Sequence, residues 1–203
     1  MINTKSKKEI IFHLIEIAEK FEASKEKYLI TYPYFLDYFK NLDEINKEHL
    51  IIGISFTYSW MPTILNFSPN DLSQTHQLIE ECLNILNKAK LQTENDKLLS
   101  IDELFKLKKL FNNSLVGTSK LLHFINPKQY AIWDSKVFKN LYNEVAHKYK
   151  LEKPEAYLAY LKFIKSLTLE ENFDEFHTIM KERCNPEITK FRAIELALFK
   201  TKS

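Results

Sequence analysis

The 203-residue chain contains only two glycines, Gly53 and Gly117. Tight β-hairpin turns usually need glycine because their central residues adopt positive φ angles. The sequence also lacks a convincing alternation of apolar and polar residues, which is the pattern of a half-buried strand. A fold built from β-hairpins is therefore disfavoured.

Cysteine is equally scarce, with Cys82 and Cys184 the only two in the chain. Two thiols cannot by themselves supply a four-thiolate zinc or iron–sulfur site, and the sequence contains no Cys-x-x-Cys motif. We expect both residues to be free thiols in helices of a cytosolic protein.

The chain lacks a strong excess of either charge and has no evident membrane segment. Its net charge of +2 is too small to indicate nucleic-acid binding by bulk electrostatics, so a basic surface would require local clustering of lysines. The most apolar run, residues 49–67, contains polar residues and Pro62, which favours a buried helix over a membrane span. The N-terminal stretch is amphipathic rather than a signal peptide, and the expected location is the cytoplasm.

Helical periodicity is the dominant pattern of the sequence. Apolar residues recur at helical spacing from Ile10 to Phe21 and from Leu78 to Leu86. Ser100 and Glu103 form a capping box, while Pro154 and Pro186 lie where helices are expected to begin. We predict one all-α domain of about eight to ten helices, a weak boundary between two lobes near residues 93–100, and a helix–hairpin–helix-like element at about residues 101–137.

The stretch LVGTSKLLHFINPKQYAIWDSKV, residues 115–137, contains one of the two glycines. Gly117 permits a backbone geometry or a close approach that a β-carbon would block. We expect Thr118 or Ser119 to cap the following helix, whose free N–H groups would then form an anion site. The helix should end at Asn126, because the residue before a proline disfavours helical geometry.

Lys120 and Asp134 are the two residues of this stretch with potential for catalysis. Asp134 is a natural N-cap, which explains it structurally, but the helix dipole also favours its negative charge. Lys120 lies in the first turn of a helix, where the dipole does not favour a cation. If Lys120 is partly buried, its pKa falls and the neutral amine can act as a nucleophile.

These residues resemble the helix–hairpin–helix DNA glycosylases, particularly their 8-oxoguanine branch and bacterial proteins with that fold. YSWMP (residues 58–62) and RAIELALF (residues 192–199) share the resemblance. It implies removal of an oxidised purine from DNA, with AP-lyase activity and no metal or organic cofactor. It also assigns roles to individual residues: Lys120 forms a Schiff base, Asp134 is the catalytic aspartate, and the DNA backbone binds Val116, Gly117, Thr118 and Ser119. If the protein is such an enzyme, Trp60, His123 and Trp133 are candidates for the base pocket, with packing in the core as the alternative.

Two alternatives to a glycosylase remain open. The hairpin has one glycine where the family usually has two, and the interval from Lys120 to Asp134 is about one helical turn shorter. These differences fit a noncatalytic nucleic-acid-binding protein, while the near-neutral charge fits a helical protein-interaction module. Arg192 and Glu195, three residues apart, are expected to form a structural pair on one helix face.

Overall fold

The computed structural model describes residues 6–26, 28–61 and 76–200. These residues form eleven α-helices and contain no β-strand, which confirms the predicted all-α fold. The number exceeds the predicted eight to ten; one helix has only four residues, too few to produce a recognisable periodicity. The helices are α1 (Lys7–Glu19), α2 (Tyr28–Lys40), α3 (Lys47–Ser59), α4 (His76–Leu91), α5 (Ile101–Lys109), α6 (Leu115–Ile125), α7 (Ser135–Tyr142), α8 (Lys148–Leu151), α9 (Pro154–Leu167), α10 (Phe173–Arg183) and α11 (Lys190–Lys200).

Local capping determines where several helices begin. The predicted capping box of α5 is present, since the Glu103 N–H donates to Ser100 Oγ at 3.2 Å and the Ser100 N–H donates to the Glu103 carboxylate at 2.7 Å. Pro154 occupies the first turn of α9, as predicted. The prediction for Pro186 was wrong, because an Asn185 side chain that accepts the Glu187 N–H forms a turn there and α11 begins only at Lys190.

Helix α6 lies at the centre of the packing, because α2, α3, α4 and α5 all contact it. Leu115 and residues 117–125 are buried, so nearly every position of this helix packs against a neighbour. Helix α11 packs against α1, α7, α9 and α10. Both helices are therefore held in place by several neighbouring helices. The weak lobe boundary near residues 93–100 stays a prediction.

The apolar run at residues 49–67 begins with α3. Leu50, Ile54 and Tyr58 of this helix are buried, in agreement with the prediction of a core helix, whereas residues 62–67 lie outside the described residues. Within the three described ranges, no helix is both long enough and apolar enough to cross a bilayer. Cys82 and Cys184 are free thiols.

Candidate functional site

Helix α6 begins earlier than the sequence pattern suggested. Its N-cap is Ser114, whose Oγ accepts the Gly117 N–H at 3.3 Å. The predictions that Thr118 or Ser119 caps this helix and that Lys120 lies in its first turn were therefore wrong, since Lys120 is the sixth residue of the helix. Thr118 and Ser119 lie inside the helix and are buried, and the Thr118 hydroxyl donates to the Ser114 carbonyl at 2.9 Å.

Gly117 permits a close approach between side chain and helix rather than a left-handed turn. Its φ angle is not positive, and a β-carbon at this position would lie 2.7 Å from Cδ1 of Phe111. The left-handed conformations of the preceding turn belong to Asn112 and Asn113, with φ angles of 52° and 61°. Asparagine tolerates this region better than most residues because its short polar side chain can hydrogen-bond locally.

A carboxylate of the same chain occupies the N-terminal end of α6. The Leu115 N–H donates to Oε2 of Glu152, and Lys108 Nζ lies 3.5 Å from the same oxygen. Glu152 thus provides the negative charge that a helix N-terminus favours. This is the helix end to which we assigned a DNA phosphate through Val116, Gly117, Thr118 and Ser119, and that assignment stays a prediction.

Lys120 is buried, with only 8% of its surface exposed. Its Nζ donates to the Trp60 carbonyl at 2.7 Å, where α3 ends. Burial lowers the pKa of Lys120, while the negative charges of Asp134 and Glu195 act in the opposite direction. Lys120 therefore has both features that we expect of a reactive amine, which are partial burial and a lowered pKa.

Asp134 caps α7, as predicted, because its Oδ1 accepts the Val137 N–H at 2.9 Å. The buried Ser119 hydroxyl fixes the neighbouring backbone to α6. Its oxygen accepts the Trp133 N–H at 3.0 Å and donates to the Val116 carbonyl at 2.9 Å, with the Trp133 carbonyl at 3.3 Å. Through its hydroxyl, Ser119, the residue before Lys120, thereby holds the backbone of Trp133, the residue before Asp134.

Lys120 and Asp134 line the same cavity, which has a volume of about 620 Å³. Tyr28, Trp60 and Phe199 are its aromatic residues. Among the described residues that line it, acidic and basic side chains are equal in number, an arrangement better suited to an uncharged heterocycle than to a phosphate. These charged residues are Glu26, Lys120, Asp134, Lys136, Arg192 and Glu195.

The three residues predicted for a base pocket occupy different environments. Trp60 lines the cavity, and its indole N–H donates to Thr31 Oγ1 at 3.0 Å. Trp133 and His123 have no exposed surface and belong to the core. The Trp133 indole N–H donates to the Leu151 carbonyl at 3.0 Å. Of these three residues, only Trp60 therefore offers a surface to a ligand in this cavity.

His123 has a defined hydrogen-bonding state in the core. Its Nδ1 lies 2.7 Å from the Tyr130 carbonyl, which can only accept, so Nδ1 carries the proton. Nε2 then accepts the Tyr32 hydroxyl at 2.8 Å. Burial lowers the pKa of His123 to about 3, so the ring is neutral at ordinary pH. The satisfied histidine is a structural link between α2 and α6.

Arg192 and Glu195 form the predicted pair on α11, with Nη1 of Arg192 donating to Oε2 of Glu195. Their position in the cavity was not predicted. The two residues are 3% and 2% exposed, and the Arg192 guanidinium lies 4.7 Å from the centre of the Tyr32 ring. Burial raises the pKa of Glu195 to about 7, although the Arg192 charge acts in the opposite direction. The sequence feature that could have indicated this buried position is the pair of opposite charges within an otherwise apolar run, residues 191–198.

A second cleft, of about 420 Å³, reaches the N-terminal end of α11 and is lined by several lysines. Lys190 and Phe191 line this cleft, whereas Arg192, the next residue, lines the first cavity. Two carboxylates, Glu94 and Glu187, also line the cleft, leaving an excess of positive charge. The lysines of the cleft are Lys128, Lys165, Lys181 and Lys190.

Within the described part of the chain, no group of three or more His, Cys, Asp or Glu side chains is arranged to hold a metal ion. The cavity itself is lined by one buried amine, Lys120, and by the carboxyl groups of Asp134 and Glu195. No protein-family model matches this sequence, and no curated protein or solved structure matches it either.

Proposed function

We propose that this protein is a DNA glycosylase that removes an oxidised purine such as 8-oxoguanine and cleaves the resulting abasic site as an AP lyase. The supporting observation is the shared cavity of Lys120, Asp134 and Trp60. Its volume of about 620 Å³ is within the range of pockets that bind small molecules. The balanced charge of its described wall residues suits a purine base, which has hydrogen-bond donors and acceptors but little net charge.

The reaction begins when the damaged nucleotide rotates out of the duplex and its base enters the cavity. Trp60 and the half-exposed Tyr28 provide faces for stacking. The neutral amine of Lys120 attacks C1′ of the sugar, and the bond from C1′ to the base breaks. The Asp134 carboxylate stabilises positive charge that develops on the sugar. The resulting imine permits strand cleavage by β-elimination.

The DNA backbone needs positive charge outside the cavity, because phosphate contacts supply much of the affinity for DNA. The lysine-lined cleft at the N-terminal end of α11 is one candidate for this role, with four lysines against two glutamates among its described lining residues. The predicted contacts through Val116, Gly117, Thr118 and Ser119 form the other candidate, at a helix end where Glu152 already binds. We also propose that the protein acts on DNA in the cytoplasm, the location predicted from the sequence.

Borohydride trapping on a duplex that contains 8-oxoguanine tests this proposal, because reduction of the imine joins protein and DNA covalently. Lys120→Gln should abolish trapping, since an amide cannot form an imine, while its N–H groups can still donate to the Trp60 carbonyl. Lys162→Gln, which changes an exposed lysine of α9, is the matched control and should trap like the unmodified protein.

The outcomes separate the three functional interpretations. Trapping that survives in Lys120→Gln would exclude this lysine as the nucleophile. Salt-dependent DNA binding without trapping or base release would favour the noncatalytic nucleic-acid-binding protein. Absence of both trapping and DNA binding would leave the helical protein-interaction module.

A further inference from the structure

The cavity contains a second carboxyl group that the proposed reaction does not yet use. Glu195 lines the cavity together with Lys120 and Asp134, but it comes from α11 rather than from the 115–137 stretch. Its side chain is almost completely buried, and one oxygen, Oε2, accepts a hydrogen bond from Arg192. Electrostatic interactions connect Glu195 with both Lys120 and Asp134. A lysine amine and two carboxyl groups therefore line one cavity.

The two carboxyl groups have different surroundings. Asp134 is half-buried and accepts the Val137 N–H through Oδ1, so a backbone donor stabilises its anion. Burial raises the pKa of Glu195 to about 7, which allows this group to gain and lose a proton near neutrality. Paired carboxyl groups in unlike environments commonly divide an electrostatic role and a proton-transfer role between them.

The groups that influence the charge of Glu195 come from several elements. Arg192 on α11 is its direct partner, and Glu26 and Lys136 line the same cavity. Arg192 also interacts with Cys184, which follows α10. The groups with which Glu195 itself interacts are Tyr32 on α2, Lys120 on α6, Asp134 at the start of α7, Tyr160 on α9 and Arg192 on α11.

We propose that Glu195 is a further catalytic residue, which carries a proton from the Lys120 ammonium group to the departing purine. This inference rests on the proposed glycosylase function and adds the proton transfers that the reaction requires. It leaves Asp134 as the fixed negative charge beside the sugar.

The transfers balance as follows. The Glu195 carboxylate takes one proton from the Lys120 ammonium group, giving a neutral amine and a neutral acid. The amine then attacks C1′, and the C1′–N9 bond breaks with its electron pair remaining on the purine. Glu195 gives its proton to the purine and becomes a carboxylate again. Finally, a proton moves from the Lys120 nitrogen to the ring oxygen as the C1′–O4′ bond opens, which leaves a protonated imine.

Two duplexes distinguish the two steps of this proton transfer, which are removal of a proton from Lys120 and donation of a proton to the purine. An 8-oxoguanine duplex requires both activation of Lys120 and protonation of the base. A duplex with a preformed abasic site requires the neutral amine but has no purine to protonate, and its C1′ oxygen leaves as water with one proton from the amine and one from solvent. The variant is Glu195→Gln, and the control is Glu182→Gln, which changes an exposed residue of α10.

At neutral pH, we expect Glu195→Gln to slow 8-oxoguanine release by about 100-fold, a typical contribution of general acid–base catalysis. Trapping on the abasic duplex should also slow at neutral pH but approach the unmodified rate at a pH high enough for the Lys120 amine to lose its proton unaided, since burial lowers the pKa of this lysine. Release of 8-oxoguanine should remain slow at that pH, because the acid is still missing. Glu182→Gln should change neither rate.

Equal rates for Glu195→Gln and the unmodified protein on both duplexes would overturn the role of Glu195 while leaving the glycosylase proposal intact. Failure of the unmodified protein on both duplexes would overturn the glycosylase function and Glu195's role with it. Circular dichroism checks that the variant folds. If it does not fold, the unmodified protein decides by its pH profile: single-turnover release should decrease below about pH 7, and a flat profile would reject the proton transfer.

Discussion

Substitution of Gly117 by alanine tests whether this glycine serves packing or DNA binding. The added β-carbon would lie 2.7, 3.0 and 3.1 Å from Cδ1, Cγ and Cβ of Phe111. Phe111 cannot simply rotate away, because it is buried and its Cβ is fixed by the backbone. Overpacking of a core costs about 1–3 kcal/mol, whereas alanine is favoured over glycine in a helix by at most about 1 kcal/mol. We therefore expect Gly117→Ala to lower the free energy of unfolding by about 1–2 kcal/mol.

A double-mutant cycle with Phe111→Ala assigns the cause. Phe111→Ala removes the two closest ring contacts, so Gly117→Ala should be neutral or slightly stabilising in that background. Phe111→Ala alone costs about 3–5 kcal/mol. All four proteins are therefore unfolded with urea in the same concentration of trimethylamine oxide, which strengthens the folded state of each. The coupling energy between the two sites should be about 1–3 kcal/mol.

DNA binding by Gly117→Ala provides the second arm of the test. A glycine that serves only the packing of α5 and α6 should leave the affinity for duplex DNA unchanged wherever the variant is folded. Equal stability effects of Gly117→Ala with and without Phe111 would refute the packing explanation. A loss of DNA affinity without a loss of stability would instead restore the predicted role of this glycine at the DNA backbone.

The remaining two predictions concern residues that the fold uses as polar links. Glu152→Gln should lower the free energy of unfolding by about 1 kcal/mol, because the α6 dipole and Lys108 lose a nearby negative charge. If α6 also binds a DNA phosphate, the same variant should bind DNA more tightly, whereas unchanged affinity would count against that site. Tyr32→Phe should cost about 1–3 kcal/mol in urea unfolding, because His123 Nε2 is left buried without a donor. Tyr38→Phe is its control and should cost nothing, because the buried Tyr38 hydroxyl has no hydrogen-bond partner among the described residues. Equal effects of the two changes would contradict this explanation.

Features that depend on neighbouring residues were accessible from the sequence. The Ser100 capping box and the Asp134 cap each involve a residue and a backbone group three positions later. The end of α6 at Ile125 follows from the proline that comes after Asn126. Such features need no knowledge of the rest of the fold, because both partners are fixed by the same short segment.

Features that depend on distant residues were not accessible in the same way. Ser114 and Thr118 are both residue types that commonly cap helices. Phe111 packs closely against Gly117, which lies within the helix, and this long-range contact accompanies the start of the helix at Ser114 rather than at Thr118. Glu152 is far along the chain from the α6 end to which it binds. Glu195 shares the cavity with Lys120 only because α11 packs close to the start of α7. No local pattern contains this information.

The short interval between Lys120 and Asp134 is explained by the anchoring of the segment that joins them. After α6 ends, Tyr157 and Tyr160 of α9 donate to the carbonyls of Ala131 and Ile132 at 3.0 and 3.1 Å. Ser119 holds the next residue through its backbone N–H and carbonyl. These bonds return the chain along α6 toward the turn that carries Lys120. Because tertiary hydrogen bonds set this position, the number of intervening residues does not by itself determine whether the amine and the carboxylate share a cavity.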